Sequence, residues 1–175
     1  MKLLLENWRK YLKENENTIY YWQTRGLWKE NAIDFGRTHV PKARPRQTPV
    51  EDIFEKVRKE KYPDRPSRLD CVFLCDNLEG FAGGSFCSNK KEDIFGEPIE
   101  TYEVELRGNY KILKTNSEFW TEAVIGYRRN EREDDAEGWA QSYWEGVDSP
   151  TLGEILVSPP EAAIIIRKYE NEAPI

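Results

Sequence analysis

Hydrophobic and polar positions follow a helical period in three parts of the chain. In the first part, the apolar positions are Leu4, Leu5, Trp8, Tyr11 and Leu12. This spacing predicts an amphipathic helix over residues 2–14. The second helix is predicted from Thr48, a typical N-cap residue followed by Pro49, to about Lys61. The third covers about residues 131–145, where alanine and aromatic residues recur every three or four positions.

Segments rich in β-branched and aromatic residues predict strands. They cover residues 18–26, 67–77, 99–108, 109–116, 153–158 and 162–170. Gly108-Asn109 lies between two of these strands and predicts a hairpin turn. Strands dominate the middle and end of the chain without a regular alternation with helices. The pattern therefore favours an α+β fold of mixed, mostly antiparallel sheets with peripheral helices.

Length and composition place the chain among globular proteins. Its 175 residues suit a single domain, and 38% of them are hydrophobic. No apolar run approaches the roughly 20 residues that span a bilayer. The N-terminal stretch has charges too close to its apolar residues for a secretory signal. We therefore expect a cytoplasmic protein with no membrane partner.

Charge is unevenly distributed along the chain. Residues 1–68 carry 16 basic and 10 acidic residues, whereas residues 69–175 carry 10 basic and 22 acidic residues. The first part could receive an anion. The net charge of −6 and the lack of a basic motif interleaved with aromatics argue against general nucleic-acid affinity.

The residue types that usually bind metals or act as nucleophiles are scarce. The only histidine is His39, in a proline- and arginine-rich loop. Cys71 and Cys75 are four residues apart in a predicted strand, which separates them by about 13 Å, too far to share one zinc ion. We therefore expect no metal site.

Three strand ends carry polar groups that the hydrophobic pattern does not explain. Arg25 precedes Gly26 at the end of an aromatic strand, where a guanidinium could bind a phosphate, although a surface arginine fits equally well. Ser67 follows Pro66 and could bond a ligand or serve as a turn residue. Glu154 opens an apolar strand, and its ordinary interpretation is a glutamate that points into solvent.

The order of these features resembles the ADP-ribosyltransferase fold. In that family an early strand offers an arginine or histidine to NAD, a central strand begins with a serine, and a late strand begins with the catalytic glutamate. The matching stretches are "YYWQTRG", "RPSRLDCVFLCDN" and "LGEILVSPP". The resemblance extends over about residues 18–168 and implies sheets arranged around an NAD cleft.

The resemblance assigns a role to each candidate residue. It implies that Glu154 is catalytic and that Arg25, beside the turn at Gly26, binds the pyrophosphate of NAD. Ser67 would support the strand geometry or bind a ribose, and Phe73 or Tyr21 would stack on nicotinamide. A fixed carboxylate suits this chemistry because cleavage of the ribose–nicotinamide bond passes through an oxocarbenium-like state. NAD is thus the expected substrate, with no metal.

Two departures from the family pattern leave the acceptor open. The Ser-Thr-Ser run is absent, and no Glu-x-Glu or Gln-x-Glu pair precedes Leu156. A Glu-x-Glu does occur at Glu103 and Glu105, where it fits a strand with one solvated face. The expected activity is transfer of ADP-ribose to a macromolecular acceptor, either protein or nucleic acid. A noncatalytic, partner-binding protein on the same fold is the alternative.

The N-terminal segment carries a second resemblance. "LLE" and "LKE" are similar to the Leu-x-Glu sites at which phage prohead proteases cut packaged proteins. Residues 1–16 could then be a removable or packaging segment of a phage protein carried in a virion. A plain amphipathic helix is the competing interpretation.

Overall fold

The computed structural model describes residues 18–25, 33–42, 48–76, 78, 98–130, 133–146 and 153–170. The predicted helix over residues 2–14 and the predicted turn at Gly26 lie outside these ranges. Within them, no helix is long and apolar enough to cross a membrane.

The described residues form three α-helices and two three-stranded antiparallel sheets, which confirms the α+β class. The strands are β1 (Tyr20–Arg25), β2 (Val72–Leu74), β3 (Ile99–Leu106), β4 (Lys111–Asn116), β5 (Gly153–Ser158) and β6 (Ala163–Lys168). The helices are α1 (Pro49–Lys61), α2 (Ser117–Asn130) and α3 (Glu133–Glu145), with 3-10 turns at Arg68–Asp70 and Pro160–Ala162.

Helix α1 begins where its capping sequence predicts. The Thr48 side chain accepts a hydrogen bond from the Glu51 backbone N–H at 3.3 Å, and Pro49 occupies the first turn, where no donor is needed. Val50, Ile53 and Phe54 then fall on one buried face. Local signals therefore suffice to define this helix, and its predicted limits are confirmed.

Among the residues that the structure describes, one isolated bridge joins the two sheets. One sheet has the order β1-β3-β6 and the other the order β2-β5-β4. Tyr21 and Cys75 exchange two backbone hydrogen bonds of 2.8 and 2.9 Å, which join β1 to the end of β2. The strands that carry the three candidate segments, β1, β2 and β5, are therefore consecutive neighbours.

The two faces of the β2-β5-β4 sheet are buried against different layers. On one face, Val72, Leu74, Ile155 and Val157 pack with residues of the β1-β3-β6 sheet. On the other, Cys71, Leu113 and Leu156 pack against the helices. Because β-strand side chains alternate between faces, Glu154 belongs with Leu156 on the helical side. The position predicted to open into a cleft thus faces a packed core.

The predicted pairing of two strands is wrong. The hairpin expected at Gly108-Asn109 would pair β3 with β4, but β3 pairs with β1 and β6, and β4 pairs with β5. The chain turns at Gly108, which has φ +78°, and crosses from one sheet to the other. The strand predicted over residues 67–77 is also shorter, because a 3-10 turn occupies Arg68–Asp70 before β2 begins.

We expect Gly146→Ala to destabilise the protein more than Gly108→Ala. Both glycines have positive φ, so each substitution costs about 1 kcal/mol in backbone strain. A Cβ at Gly146 would also lie 2.9 Å from the Lys114 carbonyl oxygen, whereas one at Gly108 would meet nothing within 4 Å. Overpacking should add roughly 1 to 3 kcal/mol at Gly146 only. Urea unfolding of both variants tests this, and equal losses would contradict it.

Candidate functional site

A buried arginine organises the interface between the β2-β5-β4 sheet and the helices. Arg68 is only 4% exposed, and its guanidinium bonds two carboxylates from different elements. Nη1 donates to Oε1 of Glu154 on β5 at 2.7 Å, and Nε donates to Oε2 of Glu51 on α1 at 3.1 Å. Nη2 also donates to Glu51, at 3.3 Å. One cation therefore holds two buried carboxylates.

Three aromatic rings surround this guanidinium. Its central carbon lies 4.9 Å from the ring centre of Phe73, 5.1 Å from that of Tyr143 and 5.3 Å from that of Trp120. The π-face of an aromatic ring attracts a cation, and the attraction is stronger where water is excluded. We call these three rings the aromatic cage. They come from β2, α3 and α2, so most of the fold contributes to it.

Tyr143 closes the network. Its hydroxyl accepts a hydrogen bond from Nη1 of Arg68 at 2.5 Å and donates one to Oε1 of Glu154. Burial raises the pKa of Tyr143 well above its usual range; the charge of Arg68 opposes this rise and the Glu154 carboxylate adds to it. The hydroxyl therefore stays protonated and remains a donor to the carboxylate.

The electrostatics of the cluster keep Arg68 charged. Burial alone would lower the pKa of Arg68, but the carboxylates of Glu154 and Glu51 raise it above the ordinary arginine value. The neighbouring Cys71 thiol, in contrast, is uncharged, because burial raises its pKa. Cys71 therefore remains a neutral thiol and is a poor nucleophile.

Ser67 makes local hydrogen bonds that stabilise the 3-10 turn from which Arg68 enters the core. Its hydroxyl accepts from the Leu69 backbone N–H at 3.1 Å and donates to Oε2 of Glu55 at 2.9 Å. Although partial burial opposes its charge, hydrogen bonds from Arg58 and Ser67 lower the pKa of Glu55. Ser67 thus acts as the cap of the 3-10 turn, and its hydroxyl is directed at Glu55 and away from Glu154.

The structure brings together two of the residues predicted from the sequence. Glu154 and Phe73 both contact Arg68, one through its carboxylate and the other through its ring. Glu154 is 4% exposed, so the interpretation that it points into solvent is wrong. Arg25, the residue predicted to bind the pyrophosphate, is the last residue of β1, and its backbone pairs with Ile99.

Tyr21 lies in the same row of the sheets as Glu154. Tyr21 is bridged to Cys75, and Leu74 pairs with Ile155, so the next position of that register sets Cys75 beside Glu154. With neighbouring strands about 4.8 Å apart, the Cα atoms of Tyr21 and Glu154 are about 10 Å from each other. The Tyr21 ring packs edge-on against Tyr169, and burial followed by the Glu103 charge raises its pKa.

Another buried carboxylate belongs to the Glu-x-Glu pair. Glu103 was expected on a solvated face, but it is only 6% exposed. Both of its oxygens accept from Arg167, at 2.7 and 2.8 Å, and the Arg167 side chain is 71% exposed. This ion pair is therefore open to water on one side, unlike that of Glu154.

Sequence reasoning missed most of the network. Glu51 resembles the acidic residue that commonly stabilises the first turn of a helix, and Tyr143 fits the apolar spacing of its helix. Arg68 has no signal in the sequence other than its position next to Ser67. Glu51 lies at the flank of the apolar face formed by Ile53, Phe54 and Val57, so its position does not distinguish it from an ordinary first-turn carboxylate.

The cluster supplies a fixed carboxylate, a neutral hydroxyl donor and a site for a planar cation. In the described ranges, no group of three or more histidine, cysteine or acidic side chains is arranged to hold a metal ion. A carboxylate fixed next to aromatic rings can stabilise positive charge that develops on a bound molecule. Such a cluster serves the chemistry of cations better than that of anions.

Comparison with known proteins identifies the family. The family described as "Protein of unknown function (DUF2441)" matches residues 5–169, and the chain belongs to it. No curated protein and no solved structure matches the chain.

We expect Arg68→Met to lower the free energy of unfolding by about 3 to 5 kcal/mol, because it leaves two carboxylates buried without their cation. Arg58→Met is the matched control, since Arg58 pairs with Glu55 nearer the surface. Adding Glu51→Gln to Arg68→Met should restore part of the loss. Urea unfolding followed by tryptophan fluorescence measures all three variants. A loss no larger than that of Arg58→Met would show that the network contributes little.

Proposed function

We propose that the chain is a mono-ADP-ribosyltransferase that uses NAD as its substrate and modifies a macromolecular acceptor. The observation that carries the proposal is the adjacency of β1, β2 and β5. These strands bear the three segments that resemble the family, and they are consecutive neighbours in the sheets. Segments far apart in sequence therefore lie within reach of one ligand.

The placement of two candidate residues supports this function. Tyr21 and Glu154 share one row across β1, β2 and β5, about 10 Å apart, so a single dinucleotide could touch both. Phe73 lies on the same face of the sheet as Glu154. Its ring contacts Arg68, the cation that is hydrogen-bonded to the Glu154 carboxylate. In the proposal, Phe73 or Tyr21 stacks on the nicotinamide ring, and Arg25 with Gly26 receives the pyrophosphate.

The proposed reaction needs a carboxylate held in one position. The bond between the ribose C1′ and the nicotinamide nitrogen breaks, and the electron pair leaves with nicotinamide, which becomes neutral. Positive charge develops on the ribose, and the Glu154 carboxylate stabilises it or holds a ribose hydroxyl. The acceptor then forms a bond to C1′ and loses a proton. The hydrogen bond from Tyr143 fixes the Glu154 carboxylate for this role.

Ser67 has a supporting role in this scheme. Its hydroxyl is hydrogen-bonded to Glu55 and to the Leu69 backbone, so it stabilises the turn that precedes β2. This favours the support of strand geometry over a direct contact with ribose. The NAD cleft itself would be formed on the side of the sheets that carries Tyr21 and Glu154.

A noncatalytic, partner-binding protein on the same fold is the second candidate. The observation that favours it is the burial of Glu154, whose carboxylate is bonded within the protein. In that case the buried cluster would serve stability alone. Binding of NAD separates the two candidates, since only the transferase requires it.

We expect Glu154→Gln to abolish nicotinamide release from NAD, while Glu51→Gln keeps it at or above the wild-type rate. The two variants are matched because each removes one carboxylate charge from Arg68 within the same buried network. Loss of stability should therefore affect both, whereas loss of catalysis should be specific to Glu154. Labelled NAD and a cell lysate supply substrate and acceptors, and both nicotinamide release and label transfer are followed.

The other results of this experiment have distinct meanings. Release without labelling of any acceptor would indicate an NAD glycohydrolase. Equal activity in Glu154→Gln and wild type would remove Glu154 from the mechanism. No release, together with no heat in a calorimetric titration at millimolar NAD, would rule out the transferase and favour the partner-binding protein.

A further inference from the structure

We propose that Arg68 is an autoinhibitory residue, an internal planar cation that occupies the place beside Glu154 where the nicotinamide ring of NAD would bind. This inference rests on the proposed function and concerns the regulation of the same site. The site is closed while Arg68 is bound within it, and it becomes active when a substrate displaces the guanidinium.

The strongest observation is that Arg68 already uses two of the groups assigned to the substrate. Phe73, one of the two rings expected to stack on nicotinamide, has its ring centre 4.9 Å from the guanidinium carbon. Glu154, expected to stabilise the ribose cation, accepts a 2.7 Å hydrogen bond from Nη1. Glu154 is 4% exposed in this arrangement, so its carboxylate cannot be reached from solvent.

The chemistry of the cage explains why one cation could replace the other. Guanidinium and the nicotinamide ring of NAD are both flat and positively charged, and both gain energy on the face of an aromatic ring. If Arg68 left without a replacement, two carboxylates would remain buried and unpaired, at a high cost in free energy. A cationic substrate removes that cost. Opening of the site is therefore coupled to the arrival of a planar cation.

Trp120 provides an independent indication of a ligand. Its indole N–H is buried and has no hydrogen-bond partner among the described residues, although its ring forms one wall of the cage. A buried donor without an acceptor costs about 1 to 3 kcal/mol. A ligand larger than the guanidinium, with an acceptor that reaches the edge of this ring, such as the amide oxygen of nicotinamide, would satisfy it.

The anchor of Arg68 on α1 offers a way to weaken the contact without touching Glu154. Glu51 accepts hydrogen bonds from Nε and Nη2 of Arg68 and takes no part in the proposed reaction. Glu51→Gln keeps the shape of this side chain and removes its charge. The variant should therefore raise the fraction of molecules in which Arg68 has left Glu154.

We expect Glu51→Gln to increase kcat/KM for nicotinamide release by about tenfold, because apparent affinity scales with the populated fraction of the open state. Arg68→Met should increase it at least as much where the variant remains folded by circular dichroism; otherwise Glu51→Gln decides alone. Glu55→Gln is the matched control, a carboxylate one turn along α1 that holds Arg58 and Ser67; the glutamine removes its charge and keeps an oxygen that can accept from the Ser67 hydroxyl. Its activity should equal that of the wild type.

Each outcome decides the inference. Activation by Glu51→Gln but not by Glu55→Gln supports autoinhibition, since a purely structural role of Arg68 predicts no gain of activity. An active wild type with unchanged or reduced activity in Glu51→Gln overturns the inference and leaves the proposed function in place. Equal activation by Glu55→Gln overturns it as well, because general loosening would then be the cause. No NAD binding or release by any of these proteins overturns both proposals.

Discussion

The buried guanidinium of Arg68 is the interaction on which the arrangement of this protein depends. A charge in a core is tolerated only when its partners are all in place, and here they come from separate elements. Glu51 belongs to α1, Tyr143 to α3 and Glu154 to β5, while Phe73 and Trp120 add rings from β2 and α2. A shift of any one element would expose an unpaired charge, so the helices and the sheet are fixed relative to each other.

The same contacts that fix Glu154 also close it off. A carboxylate that stabilises a developing cation must be held still; the bond from Arg68 does this in the closed state, and the bond from Tyr143 can do it in both states. They also leave the side chain only about 3% exposed. The two proposals therefore treat one geometry at two stages: a closed state in which the protein supplies its own cation, and an open state in which the substrate supplies it.

Local signals in the sequence predicted most of the helices and strands, but they could not predict which strands pair with each other. The limits of α1 follow from Thr48 and Pro49, which act on the nearest turn. Helix α2 was missed although its sequence carries a helical signal: apolar residues recur at positions 119, 120, 123, 124 and 127, and they pack against the helical core. The hairpin at Gly108 was wrong because a turn fixes the direction of the chain but not the sheet that the next strand joins. Glu154 was recognisable as an anomaly, whereas its partners had ordinary local explanations.

Two buried carboxylates of the sheets, Glu103 and Glu154, differ in how completely their ion pairs are removed from water. Glu103 pairs with Arg167, whose side chain is largely exposed, so this pair needs little desolvation and is an ordinary feature of a sheet surface. The trio of Glu51, Arg68 and Glu154 is sealed, and hydrophobic side chains of similar volume would often be as stable or more so. Stability alone therefore gives no reason for three charges at this position. A reason appears if the core must hold a carboxylate ready for a cation, because the cage and its internal guanidinium then preserve the site until a ligand arrives.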